Sequence, residues 1–388
     1  MNRRVPAVLL ALAVTAAAPS ARAATNPGVT AAPVLLVPLG ARALGMGGAF
    51  TGVATDATAL QYNPAGLARL NAQEADFTYI AGAGETSLQH LAYAGPTPFT
   101  GISGNGYTSA GASLLLSQSG TIQYNKLNPD GSLASSQSLS AGSDMVLTAG
   151  YAERVGMTDL PLGGQTVSLD HFLGVSGEYL RSTLAESYHA TAYAANIGYL
   201  VRAPDQGISV GLAALNLGGK LRYVDQADPL PAATRLGVSW QGGPNPDQSV
   251  IAAADGEYVL DERVWHANAG VEYFWQRRYG LRVGYQFNRG DQGGLTMGVG
   301  LRWRGRILFD YAWDLGDLLA NAHRVTLSYR FGGVPPSVRG RQRQPFIEAA
   351  PEHEELPDLN QQRPDVQEYQ RPRPVPRERP QGVPGWIY

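Results

Sequence analysis

Apolar and polar residues alternate along the chain from about residue 75 onward. In residues 323–331, polar side chains separate four apolar ones that occupy alternate positions: Val325, Leu327, Tyr329 and Phe331. Residues 264–275, 279–287 and 306–315 follow the same rule. Because successive side chains of a strand point to opposite faces, this period of two predicts β-strands with one apolar and one polar face.

Two architectures satisfy such strands: a soluble sandwich with wet outer faces and a membrane barrel with apolar outer faces. The strands run about 9–12 residues, which suits a tilted membrane strand better than a sandwich strand. Tyr and Trp cluster near the strand ends, where membrane barrels carry aromatic rings at the lipid–water interface. The sequence therefore predicts an all-β protein built on a transmembrane antiparallel β-barrel.

The alternating segments number fourteen, an even number that returns the chain to the side of the membrane where it began. They are predicted near 76–83, 88–95, 109–117, 143–153, 168–182, 187–202, 207–217, 232–241, 248–259, 264–275, 279–288, 295–303, 306–315 and 321–331. Short connections at 203–206, 276–278 and 304–305 are predicted to be periplasmic. Long loops at about 118–142 and 218–231 are predicted to lie outside the cell. The connection at 96–108 is too long for this rule.

The first residues are typical of an export signal. Arg3 and Arg4 precede an apolar run too short to span a bilayer, and "ARA" at 21–23 is a small-x-small cleavage site before Ala24. We therefore expect a cleaved signal peptide and a location in the cell outer membrane. The expected organisation is a signal peptide (1–23), an N-terminal plug (24–73), a transmembrane barrel (74–331) and a disordered, Pro-rich periplasmic tail (332–388).

A helical stretch, residues 40–70, precedes the first predicted strand. Asp56 is placed to cap one short helix, and Asn63 before Pro64 to cap a second. The stretch also supplies apolar surface that a polar lumen would not otherwise need. The residues expected to form the plug or a ligand path are Met46, Phe50, Asp56, Tyr62, Asn63, Pro64 and Leu67. Such a plug either only fills the lumen or also gates it and contacts the substrate.

The stretch resembles the PorV/PorQ family of outer-membrane proteins, which is related to the FadL-like long-chain fatty acid transporters. The resemblance rests on three segments in order: Gly40–Phe50 ("GARALGMGGAF"), Ala54–Ala59 and Asn63–Leu67 ("NPAGL"). It extends weakly over the predicted barrel. It implies a fourteen-stranded barrel whose N-terminal segment folds inward as a plug. It also implies either passage of hydrophobic ligands, as in FadL-like proteins, or a carrier role in protein export, as in PorV-like proteins.

Charged residues also fall on the predicted inward face of the strands. They are Arg235, Asp255, Glu257, Glu272, Arg282, Arg302, Asp310, Asp314, Arg324 and Arg330. Paired charges of this kind form salt-bridge ladders that close the pore and hold the plug, or they line a ligand path. The six His residues lack metal-ligand spacing, and no nucleophile-elbow pattern occurs. We therefore expect no enzyme activity, cofactor or metal.

Composition narrows the list of partners. The absence of Cys excludes disulfides and thiolate chemistry, and the formal net charge of −2 gives no sign of a nucleic-acid partner. The expected partners are outer-membrane lipid and either a hydrophobic small molecule or a secreted protein. The Pro-rich tail, with "RPRPVPRERP" at 371–380, is a candidate dock for a periplasmic partner or a featureless extension. A structural anchor in an envelope complex is a third functional hypothesis.

Overall fold

Fourteen antiparallel strands form a closed barrel in the computed structural model. The structure describes residues 29–82, 85–104, 107–162, 165–288, 294–315 and 322–333. The predicted signal peptide and all but the first two residues of the predicted tail lie outside these ranges. The barrel strands are β1 (Ala72–Ala81), β2 (Ser87–Pro96), β3 (Thr108–Leu127), β4 (Leu133–Leu162), β5 (Gln165–Leu184), β6 (Tyr188–Ala203), β7 (Ile208–Leu217), β10 (Ala233–Gly242), β11 (Ser249–Val259), β12 (Val264–Trp275), β13 (Tyr279–Phe287), β14 (Leu295–Trp303), β15 (Ile307–Asp314) and β16 (Ala322–Gly333). The predicted fold is confirmed.

One predicted loop is wrong. Residues 118–142 are mostly strand, because β3 and β4 continue as a hairpin whose turn spans 128–132. Strand β2 pairs with β3 only as far as Gln118, so the hairpin projects about 30 Å beyond the barrel at 3.3 Å per residue. Both faces of this extension meet water, and the alternation that identifies the other strands is therefore lost. The other predicted long loop, 218–231, contains the short strands β8 (Lys220–Arg222) and β9 (Ala227–Pro229).

The barrel closes where β1 pairs with β16. Three inward pairs on this seam are polar: Glu74 with Arg330, Asp76 with Ser328, and Thr78 with Thr326. The Arg330 Nε donates to Glu74 at 2.5 Å, the Ser328 hydroxyl donates to Asp76 at 2.7 Å, and the two Thr hydroxyls lie 2.8 Å apart. Cross-strand side-chain pairs of this kind fix the register of the closure.

The outward face of the barrel is apolar and carries two girdles of aromatic rings. The girdle at the rim where β1 begins and β16 ends includes Trp275, Tyr279, Trp303, Tyr329 and Phe331, all exposed. The girdle at the other rim includes Tyr79, Trp265, Tyr285, Phe287 and Trp313, also exposed. Ten residues of β12 separate Trp265 from Trp275, about 33 Å along the strand; at a typical tilt this spans the ~25 Å apolar band of a membrane barrel.

We call the rim where β1 begins and β16 ends the terminal rim, and the opposite one the distal rim. The short connections 204–207, 276–278 and 304–306 lie at the terminal rim, together with the longer connection between β2 and β3 and the extended end of the β4–β5 hairpin. The extended β3–β4 hairpin and the β8–β9 hairpin lie at the distal rim. Short turns on one side and long connections on the other are typical of outer-membrane barrels, in which the short turns are periplasmic.

The N-terminal segment 29–71, called the plug below, contains only short helical elements. They are a 3-10 helix at Pro33–Leu36, the helices α1 (Ala41–Gly45) and α2 (Ala59–Tyr62), and a 3-10 helix at Pro64–Arg69. In the described part of the chain, no helix has the length and apolar character needed to cross a membrane. The barrel begins at Ala72, two residues before the predicted start of the barrel domain.

We expect the position of an outward leucine relative to the girdles to decide how well it tolerates a charge. Leu327 lies between the girdles and Leu127 at the tip of the β3–β4 hairpin, and both side chains are exposed. Leu327→Arg should lower the free energy of unfolding by about 2–4 kcal/mol, the cost of Arg near the bilayer midplane. Leu127→Arg should change it by less than about 0.5 kcal/mol, as for a surface substitution. A urea refolding titration in lipid vesicles measures both, and equal costs would contradict the assigned membrane band.

Candidate functional site

The plug fills the interior of the barrel and forms its main core with the inward wall residues. Met46, Phe50, Leu60, Tyr62 and Leu67 are almost completely buried, and wall residues such as Phe172 and Leu200 join the same cluster. The rings of Phe50 and Tyr62 pack edge to face with centroids 5.2 Å apart. The seven sequence-predicted plug residues thus all lie buried inside the barrel, Asp56 and Pro64 included.

A chain of ion pairs centred on Arg42 attaches the plug to the wall. Arg42 donates from Nε and Nη2 to the two carboxylate oxygens of Glu272 on β12, both at 2.9 Å. Glu272 also accepts from Arg282 on β13 at 2.6 Å, and Arg282 donates to Asp310 on β15 at 2.6 Å. The other side of Arg42 faces the plug itself, where Nη1 donates to Asp56 at 3.2 Å.

The two acids keep Arg42 charged despite its burial. Burial acts to lower the pKa of Arg42, but the attraction of Glu272, with its hydrogen bonds, and of Asp56 outweighs it and raises the pKa above its usual value. The bidentate geometry fixes the orientation of the guanidinium as well as its position. Arg42 therefore acts as a permanent rigid link between α1, the second half of the plug and the wall.

Wall side chains also satisfy the plug's backbone N–H groups. One carboxylate oxygen of Asp255 on β11 accepts from Phe50 N and Thr51 N, both at 2.8 Å. Glu74 on β1 accepts from Ala57 N at 3.0 Å, and the Thr326 hydroxyl on β16 accepts from Ala41 N at 2.9 Å. An unpaired buried N–H costs free energy, so these contacts hold the irregular backbone at defined points of the wall.

Asn63 caps a short helix, as predicted, whereas Asp56 forms a hydrogen bond in the turn that precedes a helix. The Asn63 side chain accepts from Ala65 N at 3.1 Å at the start of the 3-10 helix Pro64–Arg69. Its amide also donates to the carbonyls of Thr51 and Tyr199, which joins two parts of the plug to β6. Asp56 accepts from Thr58 N at 3.2 Å, so it closes the turn before α2 rather than capping the helix itself.

A belt of wall glycines lets the plug backbone approach the strands closely. Eight inward glycines on eight strands have a plug atom within 3.2 Å of the position that a Cβ would take: Gly150, Gly174, Gly198, Gly211, Gly237, Gly270, Gly284 and Gly298. At Gly174 the Cβ would lie 2.3 Å from Ala65 N, and at Gly284 it would lie 2.0 Å from Gly47 N. Real Cβ atoms do not approach backbone so closely, and the wall and plug are therefore fitted to each other.

The distal half of the lumen is lined differently, by apolar side chains. Ile80, Leu88, Leu115, Val146 and Leu180 point inward from β1 to β5 and are buried. Two elements cover them: plug residues 31–39, and the connection between β7 and β10, whose Leu221 and Leu230 are also buried. Ala31 N donates to the Pro229 carbonyl at 2.8 Å and joins these two covers. We call this region the distal chamber.

The ten charges predicted to face the lumen all occupy inward strand positions. Seven are buried, and Arg302, Asp314 and Arg330 are half-buried. The structure pairs Arg235 with Glu257 at 2.6 Å and places Arg282 between Glu272 and Asp310, whereas Asp255 serves the plug backbone. The wall charges therefore hold both one another and the plug.

Sequence reasoning missed Arg42 and Glu74, although both connect plug and wall. Arg42 had a recognisable signal, because it is an isolated charge in an otherwise small and apolar segment, "GARALGMGG". Glu74 lies near the boundary between the predicted plug and the first predicted strand. The glycine belt had no such signal, since Gly174 and the outward Gly177 look alike in the sequence.

Comparison with known families gives a partial match. The model of an uncharacterised protein family, UPF0164, matches residues 9–125. A UPF0164 protein of Treponema pallidum (strain Nichols) is 28% identical over 233 residues, which are 58% of this chain and 55% of that protein. The chain thus spans about half the length of the curated relative that it matches.

Comparison with solved structures supports the fold. The toluene transporter TbuX of Ralstonia pickettii superposes with a TM-score of 0.50 and 14% identity, over 76% of this chain and 98% of TbuX. A FadL homologue of Pseudomonas aeruginosa gives a TM-score of 0.44 and 11% identity, over 76% and 99% of the two chains. At such identities the likeness to TbuX shows the fold alone, that of a fourteen-stranded outer-membrane barrel.

We expect a methyl group on the glycine belt to disturb the plug. Gly174→Ala should lower the free energy of unfolding by about 1–3 kcal/mol, as overpacking of a well-packed interior does, because the new Cβ overlaps the Pro64–Ala65 peptide. Gly177→Ala on the same strand is the matched control, since a Cβ there meets nothing within 4 Å. Urea unfolding followed by tryptophan fluorescence measures both variants. Equal stability of the two would show that the plug does not press on the wall.

The Arg42 link generates a second prediction. We expect the intact protein to conduct poorly in planar bilayers, because the plug fills the lumen. Arg42→Gln should lower stability by about 3 kcal/mol, the cost of breaking a buried ion pair, and should produce transient channel openings. The control is Arg306→Gln, at an exposed position of the terminal rim. It should neither lower stability nor produce channel openings. Large, stable conductance from the unmodified protein would refute the plug as a stopper.

Proposed function

We propose that the protein is an outer-membrane barrel that captures or passes hydrophobic or peptide ligands at the cell surface. The observation that carries the proposal is the distal chamber, an apolar inward surface on five neighbouring strands near the distal rim. Apolar concave surfaces with a few polar groups nearby are the usual form of ligand sites. The proposal assigns the protein no catalytic role.

Position and cover of the chamber support this role. The chamber lies toward the distal rim, the rim with the long connections, which is extracellular in outer-membrane barrels. Its cover consists of plug residues 31–39 and a connection that carries only two three-residue strands. A hydrophobic ligand would displace these two covering segments and pack against the apolar wall residues that they now contact. The solved structure with the same fold is described as a toluene transporter, which agrees with a ligand of this class.

The second candidate is a non-conducting carrier in protein export, of the PorV kind. The glycine belt favours it, because plug atoms lie so close to wall glycines on eight strands that a Cβ there would be crowded. In this function the barrel presents a surface to a secreted protein, and the predicted Pro-rich tail docks a periplasmic partner. All but the first two residues of that tail lie outside the described residues, and membership of the PorV/PorQ family stays a prediction.

Uptake by whole cells tests the first function. Cells that produce the protein should take up radiolabelled toluene or a labelled apolar hexapeptide faster than cells that lack it. Leu115→Asn should remove most of this gain, because it places an amide on the chamber wall. Leu116→Asn is the matched control, because the neighbouring Leu116 faces outward.

Both variants must show the heat-modifiable gel mobility of a folded barrel. Equal uptake with and without the protein would refute the transport function. Reduced release of secreted proteins from cells that lack the barrel would then support the carrier function.

A further inference from the structure

A small cavity, separate from the distal chamber, lies among strand ends at the terminal rim. Its volume is about 40 Å³. Five arginines line it: Arg42 and Arg69 from the plug, and Arg202, Arg302 and Arg330 from the wall. Glu272 is the one carboxylate among the lining residues, and the hydroxyls of Ser209, Ser239 and Ser249 add neutral donors. Groups that donate hydrogen bonds thus dominate the cavity, and the lining carries a positive formal charge.

Three of the five arginines have partners. Arg330 pairs with Glu74 at 2.5 Å, and Arg42 pairs with Glu272 and Asp56. Arg69 donates to the carbonyls of Gly52 and Val53 at 3.4 and 3.3 Å. Among the described residues, Arg202 and Arg302 have no carboxylate within 4.0 Å. Two arginines of the lining, Arg202 and Arg302, therefore form no ion pair with the described residues.

Of these two arginines, Arg302 gives the stronger evidence for a bound ligand. Its guanidinium lies over the ring of Phe274, with 4.0 Å from Cζ to the ring centroid, and forms a cation–π contact there. Its Nε is buried and lacks a hydrogen-bond partner in the described structure. A buried donor of a charged group is costly to leave unpaired, so a ligand that accepts from Arg302 would recover this cost.

We propose that the terminal-rim cavity binds an oxyanion group, a phosphate or a carboxylate, through Arg302 and Arg202. Arginine's planar fork of donors matches both groups. The volume corresponds to about three water molecules, which admits the anionic group and excludes a whole nucleotide or sugar. The anion is either a free ion or the head group of an amphiphile whose chain lies elsewhere. This inference goes beyond the proposed function and does not depend on passage of a ligand.

Isothermal titration of the full protein in a non-ionic detergent tests the inference with inorganic phosphate, octanoate and octanol. At least one of the two anions should bind the unmodified protein, more weakly as NaCl is raised, and octanol should not bind in its place. Arg302→Gln should weaken anion binding about tenfold or more, since a charge-assisted hydrogen bond is lost. Arg302→Lys should restore part of the affinity. Arg304→Gln removes an exposed charge from the same rim and should leave binding unchanged.

The three ligands separate the two sources of the anion. Tighter binding of phosphate indicates a free ion, and tighter binding of octanoate indicates an amphiphile head group. Octanol that binds as well as octanoate would overturn the inference, as would anion binding that Arg302→Gln leaves intact or its absence in the unmodified protein. If Arg302→Gln does not fold, Arg202→Gln takes its place, and the comparison of octanoate with octanol on the unmodified protein decides the question without any variant.

Discussion

Everything inside the barrel depends on one constraint: a plug without long helices must find partners for its backbone within the lumen. Helical elements of four to six residues leave most of their N–H and C=O groups unpaired by the helix itself. Buried groups of this kind are costly unless they are hydrogen-bonded. Asp255, Glu74 and Thr326 accept from plug N–H groups for this reason. Inward charges that resemble pore lining in the sequence thus serve the plug backbone.

The wall holds the plug in two ways, through polar contacts and through close packing at glycines. Ionic and polar contacts come mainly from β11 to β16 and from β1, with Arg42 at their centre. On β4 to β6, Gly150, Gly174 and Gly198 lie against the Leu60 side chain, the Pro64–Ala65 peptide and the Asn63 side chain. Close packing excludes water, and exclusion of water strengthens the ion pairs. Release of the plug would therefore require several contacts to break together.

The fold could be predicted from the sequence because every strand that crosses the membrane presents alternate apolar side chains to lipid. Alternation located all fourteen strands, but it missed the β3–β4 extension at 118–142 and the end of β4 at 154–162. The site was less predictable. Alternation places Glu272 inward, but nothing local pairs it with Arg42, 230 positions away. Likewise Gly174 and Gly177 differ only in the face they occupy, and the contacts of that face come from a segment more than a hundred residues upstream.

Arg42 and Glu272 belong both to the ion-pair chain and to the lining of the terminal-rim cavity. A carboxylate or phosphate in that cavity would face the same guanidinium that Glu272 already accepts from, and the two anions would share it or compete for it. Binding that shifts this balance acts directly on the link between α1 and the wall. The distal chamber meets the same plug through residues 31–39. One segment of the plug, residues 31–42, thus contacts both the distal chamber and the terminal-rim cavity.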